Sequence, residues 1–264
     1  MSDPIEINRR NWNERAIIHS RDVTGDYMLD RFLAGEDALH DIEAAELGDI
    51  AGKKVLHLQC HIGRDTLCLV RRGATAFGLD FSHEALRTAR RLAYQTGLPA
   101  EFVHGRVEEA PQLVPGPFDL VFATWGTICW LPDLNSWARA IAKVLRVDGE
   151  LYLADAHPGF QVMEVHDGRL YVAYDFQTPT DRPLRFNNAT PTLATPPSWS
   201  IRRRVNGYMP FPRSLPHWCA PASPSRCFVS MRSSRGAGSA FSFLRPIGCG
   251  AYRTDTRDFR CPSR

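Results

Sequence analysis

Val55-Leu56-His57-Leu58-Gln59-Cys60-His61-Ile62-Gly63 is the stretch that decides the fold. Its first six residues, VLHLQC (55–60), form a short apolar run of the kind that makes a strand buried on both faces. DTLCLVRRG (65–73) follows as a helix stopped by Gly73, and TAFGLD (75–80) is a second apolar strand. Ser82 to Thr96 has a helical pattern, with Ser82 placed as N-cap and Gly97 as the C-terminal stop. The rhythm continues through strands at 100–105 and 118–124, a helix over 134–145 and a strand over 149–156. Short apolar strands alternating with helices predict an α/β fold, a doubly wound, mostly parallel sheet with helices on both faces.

Outward from that core, residues 5–20 and 28–47 read as helices, and DGRLYVAYDF (167–176) as a strand or hairpin arm after an Asp-Gly turn. From about Asn187 the chain is rich in Pro, Thr and Ser. Residues 201–264 carry 12 Arg, no Lys, two Asp and no Glu, a net +10 set against −7 for residues 1–200. Such asymmetry prompts a nucleic-acid reading. The tail shows no basic helical stripe and no interleaved stacking aromatics, so nucleic acid is not expected as a partner. The mixture of Arg, Ser, Pro and Cys instead matches an out-of-frame translation beginning near Trp199. No apolar run approaches the length of a membrane span, and the polar start, Met1 to Arg15, does not read as a signal peptide. A cytoplasmic location is therefore expected. Seven cysteines fit neither a zinc spacing nor a paired disulfide framework, so reduced thiols and no metal are expected.

Ligands of a doubly wound sheet bind beyond the carboxyl ends of the strands, where strand order reverses. The loop 58–63 stands there. Asp80 closes the second strand, where a carboxylate can accept hydrogen bonds from both hydroxyls of a ribose. Phe81 adds a flat apolar face next to it. Further pieces follow in order: FVHGRVEE (102–109), FDLVFATWG (118–126), CWLPD (129–133) and VLRVDGELYL (144–153). Together they make the first 155 or so residues resemble a class I S-adenosylmethionine-dependent methyltransferase, with a Rossmann-like fold. The resemblance is nearest to a bacterial subgroup with Trp-x-x-Arg near the N-terminus (Trp12, Arg15) and a His-Leu-Gln-Cys-His first motif.

The resemblance implies S-adenosyl-L-methionine as cofactor, held by Trp12, Arg15, His57, Gln59, Cys60, His61, Gly63, Asp80, Phe81, Arg106, Val107 and Thr124. Within that set His57 occupies the family's usual acidic position, and Gln59 and His61 two of its usual glycines. Arg106 replaces the usual Asp and cannot accept from an adenine amino group, so the backbone of Val107 is the expected substitute. Arg15 is the expected partner of the methionine carboxylate.

The implied reaction is in-line methyl transfer to a small-molecule acceptor, with positioning supplying most of the rate. A hydroxyl acceptor also needs a base, for which His157 is favoured over His61, His19 and Asp155. Trp125 and Trp130 are candidate walls of an acceptor pocket, whereas Trp137, inside a helix, is expected in the core. The rivals are a cofactor-binding Rossmann protein without turnover and a nucleotide-dependent oxidoreductase. The latter lacks a Gly-x-Gly-x-x-Gly loop. The resulting division is an N-terminal helical lid (1–50), a cofactor domain (51–158), a substrate-side insertion (159–199) and an aberrant basic tail (200–264). The family's two final strands are expected to be missing or aberrant there.

Overall fold

A computed structural model describes residues 3–156, 162–175, 184–186, 204–206, 226–233 and 241–243, the last four segments as backbone. Five parallel strands form its centre: β1 (Lys54–Leu58), β2 (Thr75–Asp80), β3 (Glu101–His104), β4 (Phe118–Thr124) and β5 (Leu145–Ala156). They lie in the spatial order β5-β4-β1-β2-β3, so the chain runs outward from β1 to β3 and returns to start again on β1's other side. That reversal opens a crevice beyond the carboxyl ends of β1 and β4.

Two cores cover the sheet. Along β1, Val55 faces one and Leu56 and Leu58 the other, as the two-residue period of a strand requires. The first core packs α4 (Arg64–Arg71) and α5 (His83–Thr96) under N-terminal segments, through Leu67, Leu86, Ala89 and Phe32. The second packs the short α6 (Ala110–Leu113) and α7 (Leu134–Val144) against Val121 and Leu151. Trp137 is buried there, as its helical position implies. Helix α5 begins where Ser82 Oγ accepts the Ala85 N–H at 3.1 Å and ends at Gly97 in a left-handed conformation. Both caps stand where the sequence places them.

Two expectations need correction. The helix read over 28–47 is two short helices, α2 (Leu29–Leu33) and α3 (Asp41–Glu46), because the chain turns at Gly35 with φ 96°. The first strand ends at Leu58 rather than Cys60, since Gln59 already has φ 53°. The hairpin arm expected after the Asp-Gly turn is β7 (Arg169–Val172), paired with β6 (Met163–His166) across Asp167 and Gly168, whose φ are 49° and 71°. Positive φ at both central positions is the usual chemistry of a two-residue hairpin turn.

A third correction concerns the end of the chain. Beyond a small pair, β8 (Leu184–Phe186) with β9 (Arg204–Asn206), the backbone of β10 (Arg226–Ser233) pairs antiparallel with β5 from Arg226↔Ala156 to Arg232↔Glu150. β11 (Phe241–Phe243) pairs with β10 in turn. The final two strands are thus present as backbone. The physical reason is local: 226–233 has neither Pro nor Gly, so each of its residues keeps an N–H to give a ladder. Among the described residues no helix is long and apolar enough to cross a membrane.

Candidate cofactor and acceptor cleft

The crevice is a cleft of ≈ 370 Å³ between the loop after β1, the loop after β4 and α1 (Pro4–His19). That volume falls within the range of about 300–1,000 Å³ common for ligand sites. A narrower gap of ≈ 40 Å³ adjoins it, sharing Gln59, Asp80, Phe81 and Trp130 and adding Arg106 and Val107. Helix α1 crosses the opening. Trp12 meets Trp130 edge-on at 5.2 Å, and Asn13 Oδ1 accepts the Ser82 hydroxyl at 2.8 Å.

Asp80 sits between the two halves. Its Oδ2 accepts the His61 backbone N–H and its Oδ1 that of Ser82, each at 2.8 Å. The Phe81 backbone N–H adds a third donor, which still leaves the carboxylate lone-pair capacity for a ligand. Burial pushes the Asp80 carboxyl up to about 6, against the pull of these backbone donors. Gln59 lies alongside, its amide N–H donating to Thr127 O at 3.0 Å while its Oε1 is buried with no partner. An orphaned buried acceptor on a residue that lines the cleft fits a ligand rich in donors, such as one carrying ribose hydroxyls or an ammonium.

Of the residues expected to hold the cofactor, Trp12, His57, Gln59, Cys60, His61, Asp80, Phe81 and Thr124 line the larger cavity, with Arg106 and Val107 in the narrower one. His57 is neutral: burial holds it down at about 4, and its Nδ1 meets Thr66 Oγ1 at 2.8 Å. It ties β1 to α4 and cannot supply the negative charge of the usual acid. Burial pushes the Cys60 thiol well up, so it stays protonated. Arg106 pairs with Glu108 at 3.5 Å.

Two members of the set stand apart. Arg15 is 1% exposed, donates from Nε to Asn11 Oδ1 at 2.8 Å and lies over the Trp12 ring at 5.7 Å, one layer behind the cleft wall. Gly63 is glycine for a packing reason. A Cβ there would fall 2.5 Å from the Ala89 Cβ and 2.8 Å from the Phe102 ring, at a φ of 75°. It lets α5 and β3 close on the loop.

The base candidates separate just as clearly. Asp155 accepts from Gly126 N (2.6 Å), Thr127 N (3.0 Å), Thr127 Oγ1 (3.3 Å), Ile128 N (3.0 Å) and Ala156 N (2.7 Å). Its lone pairs are spent on shaping the loop after β4, which removes it as a base. His157 lies outside the described residues. His61 and His19 are in contact, Nε2 to Nδ1 at 2.9 Å, with Tyr27 Oη at 2.7 Å from the same His19 nitrogen. Burial, with the Arg15 charge near both rings, holds His19 down at about 4 and His61 well below the usual histidine range.

Sequence reading missed Tyr27, His40 and Arg64, all on the cavity wall, and Glu43 behind it. Glu43 is fully buried, takes the Trp125 indole N–H on Oε1, and has its carboxyl pushed up to about 7 by burial. His40 packs on the Trp125 ring at 5.3 Å. No local pattern marks these residues, because they reach the site only through the way the N-terminal segment folds back.

Residues 55–149 match the family model described as a methyltransferase domain. The ubiquinone biosynthesis O-methyltransferase of Escherichia coli O7:K1 is 33% identical over 123 residues, 44% of this chain and 51% of that protein. The corresponding protein of Shigella boydii is 32% identical over the same length. The chain thus spans about half the length of the curated relatives it matches. Among solved structures, an S-adenosylmethionine-dependent methyltransferase from Mesorhizobium loti aligns with a TM-score of 0.43 and 22% identity, over 51% of this chain and 62% of that one. A protein of similar description from Methanococcus maripaludis gives 0.44 and 16%, over 54% and 63%. Residues 55–149 are accordingly matched by a methyltransferase domain.

Proposed function

We propose that the chain is an S-adenosylmethionine-dependent methyltransferase acting on a small-molecule acceptor. The observation that carries this reading is Asp80, a buried carboxylate with lone-pair capacity left at the carboxyl end of β2, between a narrow gap and a larger cavity. Asp80 holds the ribose hydroxyls and Phe81 with Val107 contacts the base. Gln59 takes a donor of the amino-acid end, and Arg15 meets its carboxylate once Trp12 yields. The bound sulfonium supplies an electrophilic methyl group. Trp125, Trp130 and Tyr27 wall the space for the acceptor, shed water from it and hold it in line. The names of the E. coli relatives favour oxygen as the acceptor atom.

Residues 1–50 act as a lid in this reading, through the contacts of α1 across the opening, and 159–199 as an insertion on the acceptor side. The composition break at residue 200 supports a shifted reading frame over 200–264, which resequencing the gene around codon 200 checks. The functional test is calorimetry with S-adenosylmethionine and NAD side by side, followed by transfer of labelled methyl to a panel of small phenols. Binding of S-adenosylmethionine alone, with label recovered in a phenol, is expected. Tighter NAD binding would point to the oxidoreductase, and binding without transfer to any acceptor to a cofactor-binding protein without turnover.

A further inference from the structure

His61 carries its side chain at φ 50°, a left-handed backbone that glycine adopts without cost and other residues rarely hold. Strain of this kind, kept at the wall of a ligand cleft, points to a use for the side chain. The ring is fixed on several sides, by the edge of Trp12 at 5.2 Å, by Tyr27 at 5.6 Å and by His19 at 5.1 Å between centroids. Its Nε2 is committed to His19 Nδ1 at 2.9 Å, which leaves Nδ1 for the cleft. His19 is 4% exposed, its Nε2 has no partner, and its Nδ1 also meets Tyr27 Oη at 2.7 Å. A cleft-facing imidazole, oriented by a second buried group, is the arrangement that a general base needs.

Resting on the methyltransferase reading above, we propose that His61 Nδ1 takes the proton of a hydroxyl acceptor, and that His19 is the positioning residue that holds it ready. In this tautomer His61 Nε2–H and the Tyr27 hydroxyl both donate to the one His19 Nδ1 lone pair, and the Nδ1 of His61 is unprotonated and open. As the acceptor oxygen bonds to the methyl carbon, the carbon–sulfur bond breaks and its electron pair stays on sulfur as a neutral thioether. The hydroxyl proton moves to His61 Nδ1. Burial and the Arg15 charge disfavour an imidazolium at either ring, so the proton passes on to solvent as product leaves. His61 is the catalytic residue in this scheme, and His19 acts only through it.

The test uses the full chain with nitrogen-15-labelled histidine, loaded with S-adenosylhomocysteine, and phenol as the hydroxyl probe. The expected result is a neutral His61 carrying its proton on Nε2, with an Nδ1 resonance that moves as phenol is added. His19→Gln should then mix the two His61 tautomers while S-adenosylhomocysteine affinity stays within about threefold. A purely structural His19 would leave the tautomer untouched. A His61 protonated on Nδ1, or one whose Nδ1 ignores phenol, overturns the proposal even if His19→Gln fails to fold, because both are read on the unsubstituted chain. Failure of S-adenosylhomocysteine to bind that chain overturns the methyltransferase reading as well, an outcome distinct from a wrong tautomer in the loaded protein.

Discussion

A single hydrogen bond joins the two residues on which the site turns, from the His61 N–H to Asp80 Oδ2. It shows how a buried carboxylate is kept usable. Backbone N–H groups of His61 and Ser82 offset part of the desolvation cost, yet burial still leaves the Asp80 carboxyl at about 6. The sign of the consequence follows from linkage. The folded value lies above the unfolded one, so this contribution to stability is full below the unfolded pKa, near 4, and is lost as pH rises through about 6. Above that pH an ionised Asp80 costs the ligand-free protein about 3 kcal/mol. Ligand binding has the opposite dependence, because only the carboxylate can accept from two hydroxyls. S-adenosylmethionine affinity should therefore be flat above neutral pH and about tenfold weaker one unit below pH 6. Asp80→Asn should bind more weakly throughout, by about 1.5–3 kcal/mol, and lose that pH dependence. Calorimetry from pH 5 to 8 reads both effects, and an unchanged pH slope in the variant would take Asp80 out of the site.

Among the elements, α5 and α1 are coupled by one hydroxyl. Ser82 Oγ accepts the Ala85 N–H as the N-cap of α5 and donates to Asn13 on α1, so the helix start and the cover of the cleft share an atom. Loss of an N-cap costs about 1 kcal/mol, which for a chain of this size lowers Tm by about 2–4 °C. Ser82→Ala should show that drop together with faster hydrogen exchange along α1. Ser82→Gly should recover most of the stability, since glycine is a tolerable N-cap, while leaving the exchange in α1 fast. Equal protection of α1 in all three proteins would mean that the helix is held by Trp12 and its neighbours alone.

Across the whole molecule, the decisive feature is what covers β5. Antiparallel pairing from Arg226↔Ala156 to Arg232↔Glu150 satisfies the outer N–H and C=O groups of a strand whose residues 151–155 are buried. Cutting the chain after residue 199 removes that ladder and leaves a long apolar edge, a template for pairing with other chains. The truncated protein should aggregate where the full chain does not, as read by light scattering at matched concentration. A truncated chain that stays monomeric would show that the edge is protected in some other way.

The sequence by itself determined the elements around the site and their order. Apolar runs separated by Gly stops and a Ser N-cap are local signals, and each of β1 to β5 falls where those signals put it, to within a few residues. Asp80 and Phe81 were legible for the same reason, since a strand's carboxyl end in a doubly wound sheet is a known place for a ligand. The backbone pairing of 226–233 was not legible because composition outweighed a short stretch free of Pro and Gly, and strand pairing depends on backbone more than on charge. What only the tertiary structure decided is which side chains meet. His19 reaches His61 across 42 residues, Ser82 reaches Asn13 across 69, and Glu43 reaches Trp125 across 82. Such contacts leave no periodic trace in the chain, because they are set by helices docking on a finished sheet. The same docking set Arg15 one layer behind Trp12 and made Asp155 the anchor of a loop.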